Sequence, residues 1–403
     1  MIRLGLWFYD YLSKRKILRG SQKINFNDDP RRGPLKDRFK QGFGYLDCQT
    51  DDARLVVANA LQARHFGADI LTRTEVLKIV DTPLGWQVTA FDKTHQQNLV
   101  FVARAVVNAS GAWVSQLLTQ TLGVQASRPM TWVKGSHFVV PRLYSGKQAY
   151  ILQNKDQRII FVIPYQQDYT LIGTTDVVYT GDPNQVEISE EEIDYLLQAV
   201  NFYFKSAVTK KQIIWSYAGI RSLFGDSSDA ASKMTREYFL EVNESSHQFP
   251  MISIFGGKLT TYRLLAEQVL KKLERYFPNL SGAWTAGVLL PGGDLLGFSF
   301  EEFIEQLKRQ YPVLPFELLH RYAKNYGSLA LKFLSPVTCL ADMGHELLPG
   351  FYEVEAAYLL KEEWAMTVED LLFRRTKCGI AATQVQKDSV NAFITLSFKN
   401  LTL

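Results

Sequence analysis

The chain has 403 residues, and domain sizes of about 100–200 residues predict two or three domains rather than one small core. Hydrophobic residues make up 46% and charged residues 21%, which excludes a disordered chain, a collagen-like fibre and a coiled-coil rod. A net charge of only +4 gives no strongly basic surface, so nucleic-acid binding is not expected.

Cys48, Cys339 and Cys378 stand far apart without a C-x-x-C pair. Neither a disulfide framework nor a metal site is expected from them, and a reducing compartment fits. No run of about 18 apolar residues is present to span a bilayer, and the first residues lack the pattern of a signal peptide.

In chain order, Leu4, Trp7, Phe8 and Tyr11 predict a short amphipathic helix, followed by Lys14, Arg15, Lys16 and Arg19. An aromatic face beside a basic cluster suits an anionic membrane surface, or the helix packs on the rest of the protein. Residues 20–42 read as a loop. Asp51 and Asp52 cap a helix that runs to Gly67. Strand signals start at Ile70-Leu71-Thr72 and continue at Val76–Ile79, Trp86–Phe91 and Leu99–Val102 as an antiparallel meander.

The run Ala105–Ala109 reads as a strand buried on both faces, and Ser110-Gly111-Ala112-Trp113 turns it into a helix. Strand, small-residue turn, helix is the grammar of a dinucleotide-binding sheet. Strands dominate from Phe138 to Asp176. Ser189 and Glu192 form a capping box that opens a helix. Strands near Tyr238–Val242 and Ile252–Phe255 follow, then a second helix after Thr261. Residues 297–403 read as helices only.

No G-x-G-x-x-G, G-x-S-x-G or H-E-x-x-H occurs, and Ile252 and Leu259 spoil a P-loop around Gly257-Lys258. Phe255-Gly256-Gly257-Lys258-Leu259-Thr260-Thr261 places two glycines between a strand and a helix, where backbone can approach a ligand and Lys258 adds a cation. The same turn also serves as an ordinary connection. Gly219-Ile220-Arg221-Ser222-Leu223 puts an arginine in an apolar run, a costly placement unless an anion pairs it. Arg236 precedes another strand. Each arginine alone reads as a structural salt bridge. Together with Lys258 on neighbouring strand ends, Arg221 and Arg236 would suit a phosphate dianion. His137 follows Lys134-Gly135-Ser136, where a structural role is the plain alternative. In Gly173-Thr174-Thr175-Asp176 the aspartate is expected to cap backbone N–H groups.

Taken in order, several segments resemble one family: Asp47-Cys48-Gln49-Thr50-Asp51-Asp52-Ala53-Arg54-Leu55, Lys134-Gly135-Ser136-His137, Ile172-Gly173-Thr174-Thr175-Asp176, Gly219-Ile220-Arg221-Ser222-Leu223 and Phe255-Gly256-Gly257-Lys258-Leu259-Thr260-Thr261-Tyr262-Arg263. The family is that of the FAD-dependent, respiratory glycerol-3-phosphate dehydrogenases of the bacterial aerobic type. The resemblance runs from Met1 to near the C-terminus and includes Arg374-Arg375-Thr376-Lys377-Cys378-Gly379.

The resemblance implies a mixed α/β architecture: an incomplete FAD-binding Rossmann-like domain, an antiparallel-sheet substrate (cap) domain and a C-terminal all-helical domain. The implied boundaries are 1–44 for the N-terminal helix and loop with the cap, 45–115 and 225–285 for the FAD domain, 116–224 for the cap and 286–403 for the helical domain. It implies oxidation of sn-glycerol 3-phosphate to dihydroxyacetone phosphate, with hydride passing from C2 to flavin N5 and electrons to membrane quinone. It also implies peripheral association with the cytoplasmic face of the cell membrane, as a homodimer.

Carried over by motif, Arg236 would hold the substrate phosphate, and Arg221 and His137 would lie near the C2 hydroxyl. His137 or water is favoured as base, with Arg221 as electrostatic stabiliser. Lys258 would sit by flavin or substrate. Ala109, Ser110, Gly111, Gly256, Gly257, Leu259 and Thr260 would line FAD, and backbone at Val76 would meet its adenine end.

The family's G-x-G-x-x-G unit, which needs roughly 30 residues, does not appear, and Met1 aligns inside the family sequence. That departure predicts weak or absent FAD binding by this chain as a fragment, truncated product or misassigned start. Two alternatives stay open: a flavoprotein like glycine or D-amino-acid oxidase, and a non-catalytic remnant.

Overall fold

A computed structural model describes residues 2–11, 20–119, 123, 130–224 and 237–401. In chain order the elements begin with α1 (Ile2–Tyr11), β1 (Gln22–Asn25), β2 (Gln41–Gly44), α2 (Asp52–His65), β3 (Thr74–Thr82), β4 (Gly85–Asp92), β5 (Gln97–Ala103), β6 (Val106–Asn108) and α3 (Val114–Leu117). There follow β7 (Met130–Pro141), β8 (Tyr150–Gln153), β9 (Ile159–Tyr165), β10 (Tyr169–Gly173), β11 (Val177–Tyr179), α4 (Glu190–Tyr203), β12 (Trp215–Phe224), β13 (Tyr238–Glu244), β14 (Pro250–Gly256) and α5 (Tyr262–Leu273). The C-terminal elements are α6 (Phe300–Gln310), α7 (Phe316–Tyr326), α8 (Leu331–Leu334), β15 (Glu346–Leu348), β16 (Phe351–Tyr352), α9 (Glu353–Glu362) and α10 (Gln384–Leu401). The fold class is mixed α/β, as the sequence implies.

The chain divides into two compact units, Met1–Thr50 with Ser110–Ser115 and Ala126–Tyr238, and Asp51–Ala109 with Gln116–Gln125 and Phe239–Leu403. The first unit is built on a six-stranded sheet in the order β11-β7-β10-β9-β8, with β12 also paired to β7. Every pairing in it is antiparallel. Strand β7 is its spine. One edge bonds β12 over its whole length, and the other bonds β11 and then β10.

Side chains alternate across a strand, so β7 sends Ser136, Phe138 and Val140 to one side and Gly135 and His137 to the other. The first side is the core. Phe138, Val140, Ile160, Val162 and Ile172 pack there with Leu196, Val200 and Phe204. Helix α4 supplies Leu196 and Val200, and its start is fixed by the expected capping box between Ser189 and Glu192.

The segment 20–42 is not a plain loop. It carries β1 and begins β2, an antiparallel pair whose Ile24 joins the same core as neighbouring Phe26. Four-residue strands offer too little alternation to be read from sequence. The cluster Lys14, Arg15, Lys16 and Arg19 lies outside the described residues.

In the second unit, β3, β4 and β5 form the expected antiparallel meander, although β3 starts at Thr74 rather than Ile70. Helix α2 is capped as expected, with the Asp51 side chain accepting from the Arg54 N–H. A three-stranded sheet runs β13-β14-β6, with β14 and β6 parallel. Strand β6 is not buried on both faces: it is an edge of this sheet and Val107 is 42% exposed.

The C-terminal part packs Phe303, Leu307, Leu319, Tyr322, Phe351, Leu359 and Leu371 into one core. It is not purely helical, because β15 and β16 make a small hairpin turned at Gly350, whose φ is 73°. Strands of three and two residues carry no periodic signal.

Candidate functional site

The opposite side of β7 is where chemistry-bearing residues gather in the first unit. Register decides which ones share it. His137 faces Gly173 on β10 and Tyr217 on β12, Gly135 faces Gly219, and Val133 faces Arg221. Directly paired residues point to the same face, so His137, Tyr217 and Arg221 stand on one surface among Gly135, Gly173 and Gly219.

At two of these glycines a side chain would have to displace the groups beside it. A Cβ on Gly173 would lie 2.1 Å from His137 Cδ2. A Cβ on Gly135 would lie 2.7 Å from Thr174 Oγ1 and 2.9 Å from Arg221 Nη2. At Gly219 a Cβ would meet nothing within 4 Å, which leaves bare backbone beside open space. The imidazole of His137 stacks on the Tyr217 ring, with centroids 4.9 Å apart and planes 8° from parallel.

Arg221 is held from the β10–β11 connection. Its Nη1 donates to Asp176 Oδ1 at 2.5 Å, and its Nη2 to Thr174 Oγ1 at 3.3 Å. Asp176 therefore pairs with an arginine instead of capping the backbone of its own turn. These bonds use two of the five N–H donors of a guanidinium. The Arg221 side chain is 33% exposed, so its charge is neither fully desolvated nor fully screened.

Arg236 lies outside the described residues. Arg221 and Lys258 do not lie on strands of one sheet. Strand β12 pairs with β7, whereas Lys258 follows β14 in the other sheet. Apolar runs of similar look do not reveal which sheet each strand joins.

In the second unit, β14 and β6 end side by side, with Ser253 opposite Asn108. Gly256 and Gly257 follow with φ of 71° and 113°, in the region L side chains rarely adopt. Lys258 then starts a short 3₁₀ turn, Leu259–Thr261, that runs into α5; its carbonyl accepts from the Thr261 N–H at 3.0 Å. Lys258, Leu259 and Thr260 are exposed. Ala109 follows β6, and the next residues lead to Gly111, whose φ is 59° and where a Cβ would meet nothing within 4 Å. On β3 the register with β4 shifts between Val76 and Lys78, a bulge that releases backbone groups from the ladder.

The sequence profile described as FAD dependent oxidoreductase matches residues 11–263, and that of the C-terminal domain of alpha-glycerophosphate oxidase matches 283–402. The aerobic glycerol-3-phosphate dehydrogenase of Escherichia coli is 41% identical over 98% of this chain and 78% of its own length. The chain belongs to the FAD-dependent glycerol-3-phosphate dehydrogenase family.

Within this family the D-erythritol 1-phosphate dehydrogenase of Brucella abortus is 40% identical, over 96% of this chain and 77% of its own. A solved structure of the glycerol-3-phosphate dehydrogenase from Bacillus halodurans complexed with FAD superposes with a TM-score of 0.79 at 26% identity. It covers 94% of this chain and 75% of that one.

The residues present fit FAD locally. The turn at Gly256-Gly257 follows β14, which runs parallel to β6, the strand-end position at which ligands of open α/β sheets bind. His137 and Arg221, nominated from sequence, share one face, and Tyr217, which was not nominated, is brought beside His137 by register alone. The sequence also showed Glu192 only as a cap. Ser136 and Thr175 both donate to its Oε1, at 2.9 and 2.6 Å. A surface recess of about 480 Å³ near Gln153, Asp156, Tyr195 and Phe202 contains none of the nominated residues.

Proposed function

We propose that this chain oxidises sn-glycerol 3-phosphate to dihydroxyacetone phosphate and passes the electrons to membrane quinone. The observation that carries the reading is the glycine-lined face bearing His137 and an Arg221 anchored by Asp176 and Thr174, in a chain of this family. Bound FAD supplies the two-electron acceptor.

Turning a secondary alcohol into a ketone requires the hydroxyl proton to leave as C2 loses its hydrogen. His137 is the proposed acceptor of that proton, directly or through water. Tyr217 holds its ring in plane. Arg221 stabilises negative charge developing on the C2 oxygen, with N–H donors that Asp176 and Thr174 leave over. Arg236 and Lys258 are proposed for the phosphate and the flavin side, on motif alone. Gly256, Gly257, Leu259, Thr260, Ala109 and the Val76 backbone are proposed FAD contacts, as are Ser110 and Gly111. The domain limits expected from sequence are retained as part of this proposal.

Peripheral binding at the inner face of the cell membrane, as a dimer, belongs to the same proposal. Its support is α1, where Trp7 is 52% and Tyr11 73% exposed. Among the described residues no helix is long and apolar enough to cross a membrane. The amino-acid-oxidase alternative has only distant likeness behind it.

The test is anaerobic flavin bleaching of the purified chain with added FAD. Bleaching by sn-glycerol 3-phosphate and not by glycine is the expected result. Faster bleaching by D-erythritol 1-phosphate would move the substrate to a longer polyol phosphate, and bleaching by glycine alone would sink the reading.

A further inference from the structure

Behind the glycine-lined face, on the core side of the same strands, sits a buried charge. Glu192 is the third residue of α4, and its side chain is 6% exposed. Four donors converge on it. Lys134 Nζ lies 2.8 Å from Oε2, and the Ser189 backbone N–H donates to Oε2 at 2.9 Å. The Ser136 and Thr175 hydroxyls donate to Oε1 at 2.9 and 2.6 Å. Burial alone would raise the carboxyl; the Lys134 ammonium, the two hydroxyls and the Ser189 N–H outweigh it and hold Glu192 below the usual carboxylate range. It is therefore an ionised group in a dry place, with its lone pairs occupied.

A capping box needs only Ser189 and Glu192. The extra bonds from Lys134, Ser136 and Thr175 reach into the motif segments on both sides of His137 and Arg221. Thr175 is the junction. Its hydroxyl oxygen also accepts from the Ser136 N–H at 3.0 Å, which ties the β10–β11 connection to β7 where neither strand pairs there. The three residues of that connection alternate. Thr174 and Asp176 turn to Arg221, and Thr175 turns to Glu192. One short segment thus touches the site with its outer residues and the buried carboxylate with its middle one.

We infer that Glu192 is a positioning residue for the reaction: acting through Thr175 and Ser136, it fixes the 174–176 segment that aims the Arg221 guanidinium. This inference rests on the proposed function for its kinetic meaning and on geometry alone for its structural meaning. A helix cap that merely stabilised α4 would not need the hydroxyl of Thr175. An aiming device does.

The test uses the full chain with FAD and three variants: Thr175→Val, Thr175→Ser and Glu192→Gln. T175V keeps the volume and the Glu192–Lys134 pair but cuts the link. It is expected to lower kcat for flavin reduction by sn-glycerol 3-phosphate by about 10- to 100-fold while KM changes little, the size of effect misaimed groups produce. T175S restores the hydroxyl and should recover most of the rate. Amide hydrogen exchange at Ser136, whose N–H donates to the Thr175 hydroxyl, should rise about tenfold or more in T175V and E192Q, and not in T175S.

Unchanged kcat together with unchanged exchange in T175V overturns the inference. So does faster exchange with an unchanged kcat, which would leave Glu192 a structural cap. If E192Q does not fold, T175V and T175S still decide. If the wild-type chain is bleached by no polyol phosphate, the functional reading fails, and the exchange measurement alone decides whether Glu192 fixes the segment.

Discussion

His137 occupies the space in which a side chain on Gly173 would begin, and Arg221 does the same at Gly135. The two glycines are thus statements about their neighbours. Gly173→Ala must displace the imidazole, because the nearest ring carbon would stand 2.1 Å from the new Cβ. The expected result is a fall in kcat of about tenfold or more with flavin content unchanged, read by absorbance and by stopped-flow bleaching. At this scale the sequence was legible where a motif kept its residues contiguous, as in Lys134-Gly135-Ser136-His137. It was not legible for Tyr217 or Asp176. Their partners are set by strand register and by a loop that returns between two strands, neither of which a local pattern encodes.

Helix starts were readable because capping is local: Asp51 and the Ser189–Glu192 box bond within three residues of themselves. Strands β1, β2, β15 and β16 were not, because two to four residues cannot show alternation. The turn after β14 is the element where sequence and backbone agree most closely, since Gly256 and Gly257 both take positive φ. Gly257→Val would have to adopt φ near 113°, which a β-branched residue avoids. That variant should fold with its helical part intact by circular dichroism yet lose flavin through gel filtration. Full flavin occupancy would show the turn to be only a connection.

Across the whole molecule, each unit carries charges that its own packing needs. In the second unit Arg54 on α2 pairs with Glu363, which is fully buried, and stacks its guanidinium 4.7 Å from the Tyr326 ring centre. Arg54→Met leaves Glu363 without its principal counter-charge, and a broken buried pair costs about 3–5 kcal/mol. The urea midpoint should fall accordingly, and an unchanged midpoint would mean that Arg375, 3.9 Å from Glu363, suffices.

In the first unit the hydrogen bond from Arg31, helped by its charge, holds Asp29 at about 2 against an ordinary 3.8. A lowered carboxyl contributes stability that is complete above its unfolded value and lost as pH falls through the folded one. Stability measured by urea at pH 7, 4 and 2 should therefore drop between the last two points, and Asp29→Asn should flatten that drop. Glu192 acts in the same direction. The switch from strand to helix signals after residue 291 is local and readable, but no division between the two compact units falls there, because Phe239–Leu403 packs as one with Asp51–Ala109. The resemblance placed 1–44 with the cap, and Met1–Thr50 share one compact unit with the six-stranded sheet.

The face around His137 has bare backbone at Gly219 and aromatic rings at Tyr217 and Trp215. A side chain at Gly219 would only fill that face, and one at Gly135 or Gly173 would displace Arg221 or His137. Room for a longer carbon chain has to be found sideways, at Tyr217 or at Trp215, whose ring lies 5.0 Å from it. On the proposed function, redesign toward bulkier polyols should begin at those two aromatic positions rather than at the three glycines.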